Sequence, residues 1–289
     1  MFVMEGMAME RKSDIQENMK RAVEAVKRDN PMAGSITNNV TIDFVANAQL
    51  AVGGAAAMVY LPDEAEALVA GGDAVYANVG TLVPVLGESI PALARAAHEA
   101  NKTLVLDPVA LGIGALRTQI VSELKQYKPA IIRGNASEVI AVANLWGLAG
   151  TSDESSHVRG VDSTDAVDAA VDAALAIARF TGGAVAVSGE TDMVTDGSVI
   201  AYSHGGSPLM TCVTGSGCSL GGVMAVYATK TDPFTAALTG AQVYNLAGAR
   251  AAKKADAPGG FKVAFIDELY RATPDDIANN PFEIQEALR

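Results

Sequence analysis

Four residues in the last third of the chain have types and spacing that suit chemistry: Gly215, Ser216 and Gly217, then Cys218, with a run over 219–229 that reads as a helix. Bare backbone at a helix entrance presents N–H groups with no intrahelical partner, and the aligned peptide dipoles favour an anion there. Cys218 falls in the first turn, where a thiol's pKa drops and the thiolate is favoured. An anion hole with an ionisable side chain at its lip suits phosphoryl transfer, which needs positioning and charge stabilisation more than covalent help. Taken alone, a tight turn before a core helix, with Cys218 a small buried hydrophobe, is the better reading.

Other candidates change that balance. Short apolar runs end in Asn78-Val-Gly-Thr81, in Asp107-Pro108, in Arg133-Gly-Asn-Ala-Ser-Glu138 and in Ser188-Gly-Glu190. Asp107 and Glu138 are hard oxygen donors suited to Mg²⁺, held directly or through water. Arg133 can clamp a phosphate. Each has an ordinary alternative: Asp-Pro is a common turn, and Glu138 favours the first turn of its helix. Their convergence on one edge is what favours function.

That edge depends on the elements behind it. The spacing predicts helices over 13–30, 42–51, 62–70, 88–100, 117–127, 136–145 and 163–180, then over 217–229, 233–254 and 261–272. It predicts strands over 56–61, 74–79, 103–106, 130–132 and 184–187 and a hairpin over 193–203, whose Asp196-Gly197 favours a tight turn. Residues 34–41 read as a polar turn and 151–161 as a polar loop. Short apolar strands alternating with helices imply a mostly parallel sheet covered on both faces, an α/β fold whose ligands bind beyond the carboxyl ends of the strands. Residues 1–12 are read as a disordered extension, 13–274 as one domain and 275–289 as a C-terminal tail.

Composition narrows the function. The chain has 289 residues and a net charge of −12, which argues against nucleic acid and anionic membranes as partners. Its only cysteines, Cys212 and Cys218, make neither a disulfide framework nor a zinc pattern. With no secretory signal pattern and no run of bilayer length, a cytoplasmic protein is expected. No P-loop pattern occurs, and no G-x-G-x-x-G opens a helix after a strand. Gly217-Cys-Ser219-Leu-Gly221 matches the nucleophile elbow of α/β-hydrolases, but that fold needs a histidine after the serine, and His98, His157 and His204 all precede it.

With these residues placed, the chain resembles the hydroxyethylthiazole kinases of the ribokinase-like superfamily. The matching runs include Ile36-Thr-Asn38 with Val40-Thr41, Met58, Asn78-Val-Gly-Thr81, Asp107-Pro-Val109 and Ile132-Arg-Gly-Asn-Ala-Ser-Glu138. Further on come Gly160-Val-Asp-Ser163, Val187-Ser-Gly-Glu190 and Val213-Thr-Gly-Ser-Gly-Cys218. The resemblance implies a three-layer sandwich that transfers the γ-phosphoryl of ATP to 4-methyl-5-(2-hydroxyethyl)thiazole with Mg²⁺, in thiamine biosynthesis. It implies Cys218 beside the acceptor hydroxyl, Arg133 and Ser188 on ATP, and Asp107 and Glu138 around Mg²⁺. Asn38, Val40, Met58, Gly80, Thr81 and Gly215 match the thiazole pocket, and a homotrimer with sites between subunits is implied. Two alternatives stand beside this reading. One is a kinase for another small alcohol such as hydroxymethylpyrimidine; the other is a non-catalytic nucleotide-binding member of the fold.

Overall fold

A computed structural model describes residues 2–148 and 167–287. The loop expected over 151–161, the Gly160–Ser163 run and the expected helix start at Ser163 lie outside the described residues. No helix among the described residues is long and apolar enough to cross a membrane.

Nine strands form one sheet in the order β2-β1-β3-β4-β5-β6-β7-β8-β9. They are β1 (Met32–Ile36), β2 (Ala55–Met58), β3 (Ala74–Asn78), β4 (Thr103–Asp107), β5 (Ile131–Asn135), β6 (Ala184–Ser188), β7 (Asp192–Thr195), β8 (Val199–Ser203) and β9 (Phe282–Glu286). The first six pair in parallel and the last three are antiparallel, so the expected hairpin is β7–β8. Helices α1 (Phe2–Asp29) and α2 (Ile42–Ala51) precede α3 (Pro62–Gly71), α4 (Leu86–Glu99), α5 (Ala115–Leu124), α6 (Ala136–Leu145) and α7 (Val171–Thr181). Then come α8 (Ser216–Tyr227), α9 (Pro233–Ala252), α10 (Pro258–Arg271) and α11 (Pro274–Ala278).

The sheet separates two hydrophobic cores. One packs Met19, Phe44, Leu220, Leu238, Phe261 and Ile277 from α1, α2, α8, α9, α10 and α11. The other packs Leu68, Ile90, Ile120, Val139 and Leu175 from α3 to α7. Burial on both faces explains the unbroken apolar strands.

Three expectations change. Residues 34–41, read as a polar turn, begin with the last three residues of the interior strand β1, whose Ser35 is buried and bonded to Gln49 Nε2 at 3.1 Å. The first helix starts at Phe2 instead of Ser13, because 2–12 hold good helix formers and no stop signal. The segment read as a tail, 275–289, supplies most of α11 and the sheet's last strand. Lys12 Nζ donates to the Phe282 carbonyl oxygen at 2.6 Å, which ties α1 to that strand.

Candidate active site

Successive strand residues alternate between the faces, so position i+2 returns to the same side. Tyr76, Val105, Ile131, Ala184 and Ala186 belong to the core shared with α8. Counting by two along their strands puts Asn78, Asp107, Arg133 and Ser188 on that same face, toward the carboxyl ends. These side chains meet the N-terminus of α8.

At that N-terminus Gly215 has φ +88°, and a Cβ there would fall 2.8 Å from Thr41 Cγ2. The left-handed conformation and the tight contact both call for glycine. A Cβ on Gly217 would lie 2.7 Å from Arg133 Nη1, so the guanidinium rests directly on the bare turn. Ser216 Oγ donates to the Met210 carbonyl oxygen at 2.9 Å, which anchors the turn from below.

Arg133 is held from two sides: Nη1 donates to Asp107 Oδ2 at 3.3 Å and Nη2 to Ser188 Oγ at 3.0 Å. Burial works against its charge, but the nearby Asp107 and Glu138 carboxylates outweigh that and raise its pKa further. Asp107 Oδ2 also accepts from Tyr76 Oη at 3.1 Å and from Asn78 Nδ2 at 3.2 Å. Burial pushes the Asp107 carboxyl up to about 6, with Arg133 pulling it back and Glu138 adding to the rise. Its Oδ1 is buried with no hydrogen-bond partner among the described residues.

Glu138 sits differently from Asp107. Its Oε2 accepts from the Asn135 backbone N–H at 2.9 Å, closing a capping box with Asn135. Its Oε1 accepts from the Ala110 N–H at 2.8 Å. The helix-start role is therefore real, and it coexists with the carboxylate's effect on Asp107.

Cys218 lies beside Asn38. Asn38 Nδ2 lies 3.7 Å from Cys218 Sγ and donates to Asn78 Oδ1 at 2.9 Å. Gly80 N–H donates to the same Asn78 oxygen at 2.9 Å. The expected thiolate is corrected: burial first, then the Asp107 carboxylate, raise the thiol's pKa above its ordinary value. Desolvation and a neighbouring negative charge both penalise the charged form. Val40, Met58 and Thr81 were also expected at the site. Val40 is 60 % exposed, Met58 is half-buried at the end of β2, and Thr81 is exposed with φ +39°. A β-branched residue rarely adopts that conformation, and such strain tends to cluster at functional sites.

Tyr76 and Asn78 were not among the expected site residues. Asn78 opened one of the quoted runs, and a count of two back along β3 reaches Tyr76. Nothing in the sequence says that its hydroxyl finds the site. Asp192, half-buried at the start of β7, was also missed as a site neighbour; it accepts from Gly189 N–H at 3.0 Å and from Asn245 Nδ2 at 3.1 Å. Together these groups form a protonated guanidinium against open helix amides, with a buried carboxylate behind it and a polar recess beside it. The arrangement can hold a polyphosphate and an alcohol side by side.

Comparisons with known proteins agree on one family. A family model described as Hydroxyethylthiazole kinase family matches residues 23–275. A hydroxyethylthiazole kinase from Bifidobacterium adolescentis is 49% identical over 271 residues, covering 90% of this chain and 92% of its own. The structure of a hydroxyethylthiazole kinase from Pyrococcus horikoshii superposes with a TM-score of 0.81 at 28% identity, covering 93% of this chain and 99% of that one. A ribokinase-like superfamily protein from Enterococcus faecalis, 14% identical, has a TM-score of 0.59 over 86% of this chain and 89% of its own, and shares the fold.

Proposed function

The chain belongs to the hydroxyethylthiazole kinase family, and from that premise we propose that it phosphorylates the hydroxyl of 4-methyl-5-(2-hydroxyethyl)thiazole with ATP, in thiamine biosynthesis. The observation that carries the reading is the Arg133 guanidinium lying on the bare Gly217 turn, fixed there by Asp107 and Ser188.

In this mechanism the amides of Gly215, Gly217 and Cys218, with Arg133, hold the transferring phosphoryl, Ser216 N–H being given to the Val213 carbonyl oxygen at 3.4 Å, and Ser188 keeps Arg133 aimed at it. The alcohol oxygen forms its bond to the γ-phosphorus as the bond to the bridging oxygen breaks, and that electron pair leaves on ADP. Cys218 orients the alcohol as a neutral thiol beside Asn38. A loose transition state demands little early deprotonation, so the hydroxyl proton departs late, onto an oxygen of the transferred phosphoryl or onto water. Asn38, Val40, Met58, Gly80, Thr81 and Gly215 shape the acceptor side.

Asp107 fits a divalent cation, because its Oδ1 is buried without a partner among the described residues. Mg²⁺ held there would offset the phosphate charge. Glu138, with each oxygen already accepting a backbone N–H, acts beside it through its charge or through water.

Two further assignments belong to the same reading. A homotrimer with sites between subunits would give the exposed apolar side chains of Val40, Leu61 and Val83 a surface to cover. A cytoplasmic location suits an enzyme fed by ATP whose cysteines are both free thiols. A monomeric mass at full activity would contradict the trimer.

The deciding experiment measures ADP release with ATP and Mg²⁺ across a panel of small alcohols. Turnover with the hydroxyethylthiazole is expected. Turnover with hydroxymethylpyrimidine alone would replace the substrate, and tight ATP binding without any turnover would make the protein a regulatory member of the fold.

A further inference from the structure

We infer that Tyr76 is a positioning residue for phosphoryl transfer, its hydroxyl fixing the anion-binding turn of α8 against Asp107. The inference rests on the kinase reading above. Tyr76 is fully buried in the middle of β3, where an aliphatic residue would fill the core without needing a polar partner. Its hydroxyl lies 2.7 Å from the Cys218 carbonyl oxygen and 3.1 Å from Asp107 Oδ2, and it accepts from Asn78 Nδ2 at 3.0 Å. One hydroxyl proton faces two acceptors, one on the helix turn and one on the carboxylate. Asn78 carries the connection on to Asn38 and Gly80, and Asp107 carries it to Arg133 and Ser188. Tyr76 is thus the point where the acceptor side, the helix turn and the phosphate side share one hydrogen-bonded group.

The helix makes room for this contact. A Cβ on Gly221 would lie 2.5 Å from Tyr76 Cε2 and 2.9 Å from its oxygen, so the ring can reach the Cys218 carbonyl only because residue 221 has no side chain. The ring sets the distance between α8 and β3, and the hydroxyl sets the orientation of the first turn. A group that acts this way shapes the transition-state geometry more than the affinity for either substrate.

The test uses full-length protein. Tyr76→Phe keeps the ring and removes only the hydroxyl; Gly221→Ala keeps the hydroxyl and displaces the ring. Each is expected to lower kcat by roughly tenfold or more while both KM values stay within about threefold. The double variant should lose much less than the product of the two single losses, because both break the same contact. Thermal melts separate this from instability: a stability role alone would lower the melting temperature of Tyr76→Phe and leave kcat per folded molecule unchanged. Unchanged kcat in Tyr76→Phe, with an active wild type, overturns the positioning role alone. A wild type silent toward every alcohol overturns the kinase reading and this role with it.

Discussion

A thiol that burial and Asp107 keep protonated can contribute only modestly to the transfer of a phosphoryl group. General-base assistance is typically worth ~10²–10⁴ in rate, and a neutral thiol supplies little of it. Cys218→Ala is therefore expected to lower kcat by less than ~100-fold while the KM for ATP stays within about twofold. A larger loss in steady-state kinetics would restore a base role to Cys218. A second residue-scale prediction concerns Asp192, whose carboxyl burial pushes up to about 6 from an ordinary 3.8. A raised folded-state value means a stabilising contribution present below the unfolded pKa and lost as pH rises through about 6. Relative to Asp192→Asn, the wild type should lose roughly 2 kcal/mol of stability between about pH 4 and about pH 7. Urea unfolding at both pH values measures this, and parallel curves for the two proteins would contradict it. The sequence marked Arg133, Ser188, Asp107 and the Gly215–Cys218 turn because charge and glycine stand out at strand and helix ends. It did not mark Tyr76, because an aromatic within an apolar strand reads as core until its hydroxyl's partners are known.

At the scale of elements, strand alternation did most of the placing. Once β3 to β6 were read with their carboxyl ends together, a period of two was enough to put Asn78, Asp107, Arg133 and Ser188 on one face. The interior strand β1 was not legible, since small and polar residues after a proline resemble a turn, and the Gln49 that satisfies Ser35 lies on another element. The strand β9 was hidden for a different reason. Its sequence, Phe-Glu-Ile-Gln-Glu, has the alternation of an edge strand, but it follows a long helical stretch and pairs with distant β8. That edge is not a loose appendage. Phe282 is 2 % exposed, and Lys12 Nζ lies 4.5 Å from its ring centroid. Phe282→Ala should cost ~3–5 kcal/mol, as expected for deleting a buried aromatic. Denaturant unfolding checks the figure, and a loss under about 1 kcal/mol would mean that β9 adds little to the fold.

For the whole molecule, the class of fold was legible and its limits were not. Alternating strands and helices imply a three-layer α/β fold, and two cores divided by one sheet match that reading. Sheet order depends on long-range pairing, which local patterns do not encode. The net charge of −12 bears on the proposed site. An acidic protein repels a polyphosphate at a distance, so under the proposed reading attraction comes from Arg133 and the oriented amides at short range.

The helix behind those amides has a further consequence. From Ser219 to Tyr227 every residue of α8 is buried, and the helix lies on β3 and β4 with α2 and α9 alongside. Local fraying cannot expose the amide hydrogens of residues 219–227 to deuterated solvent; only opening of the layer can. Their exchange should therefore be among the slowest in the protein and should track global unfolding. Heat would then not loosen the body of the helix ahead of the rest, and the support it gives the half-buried 215–218 turn would persist until the fold itself gives way.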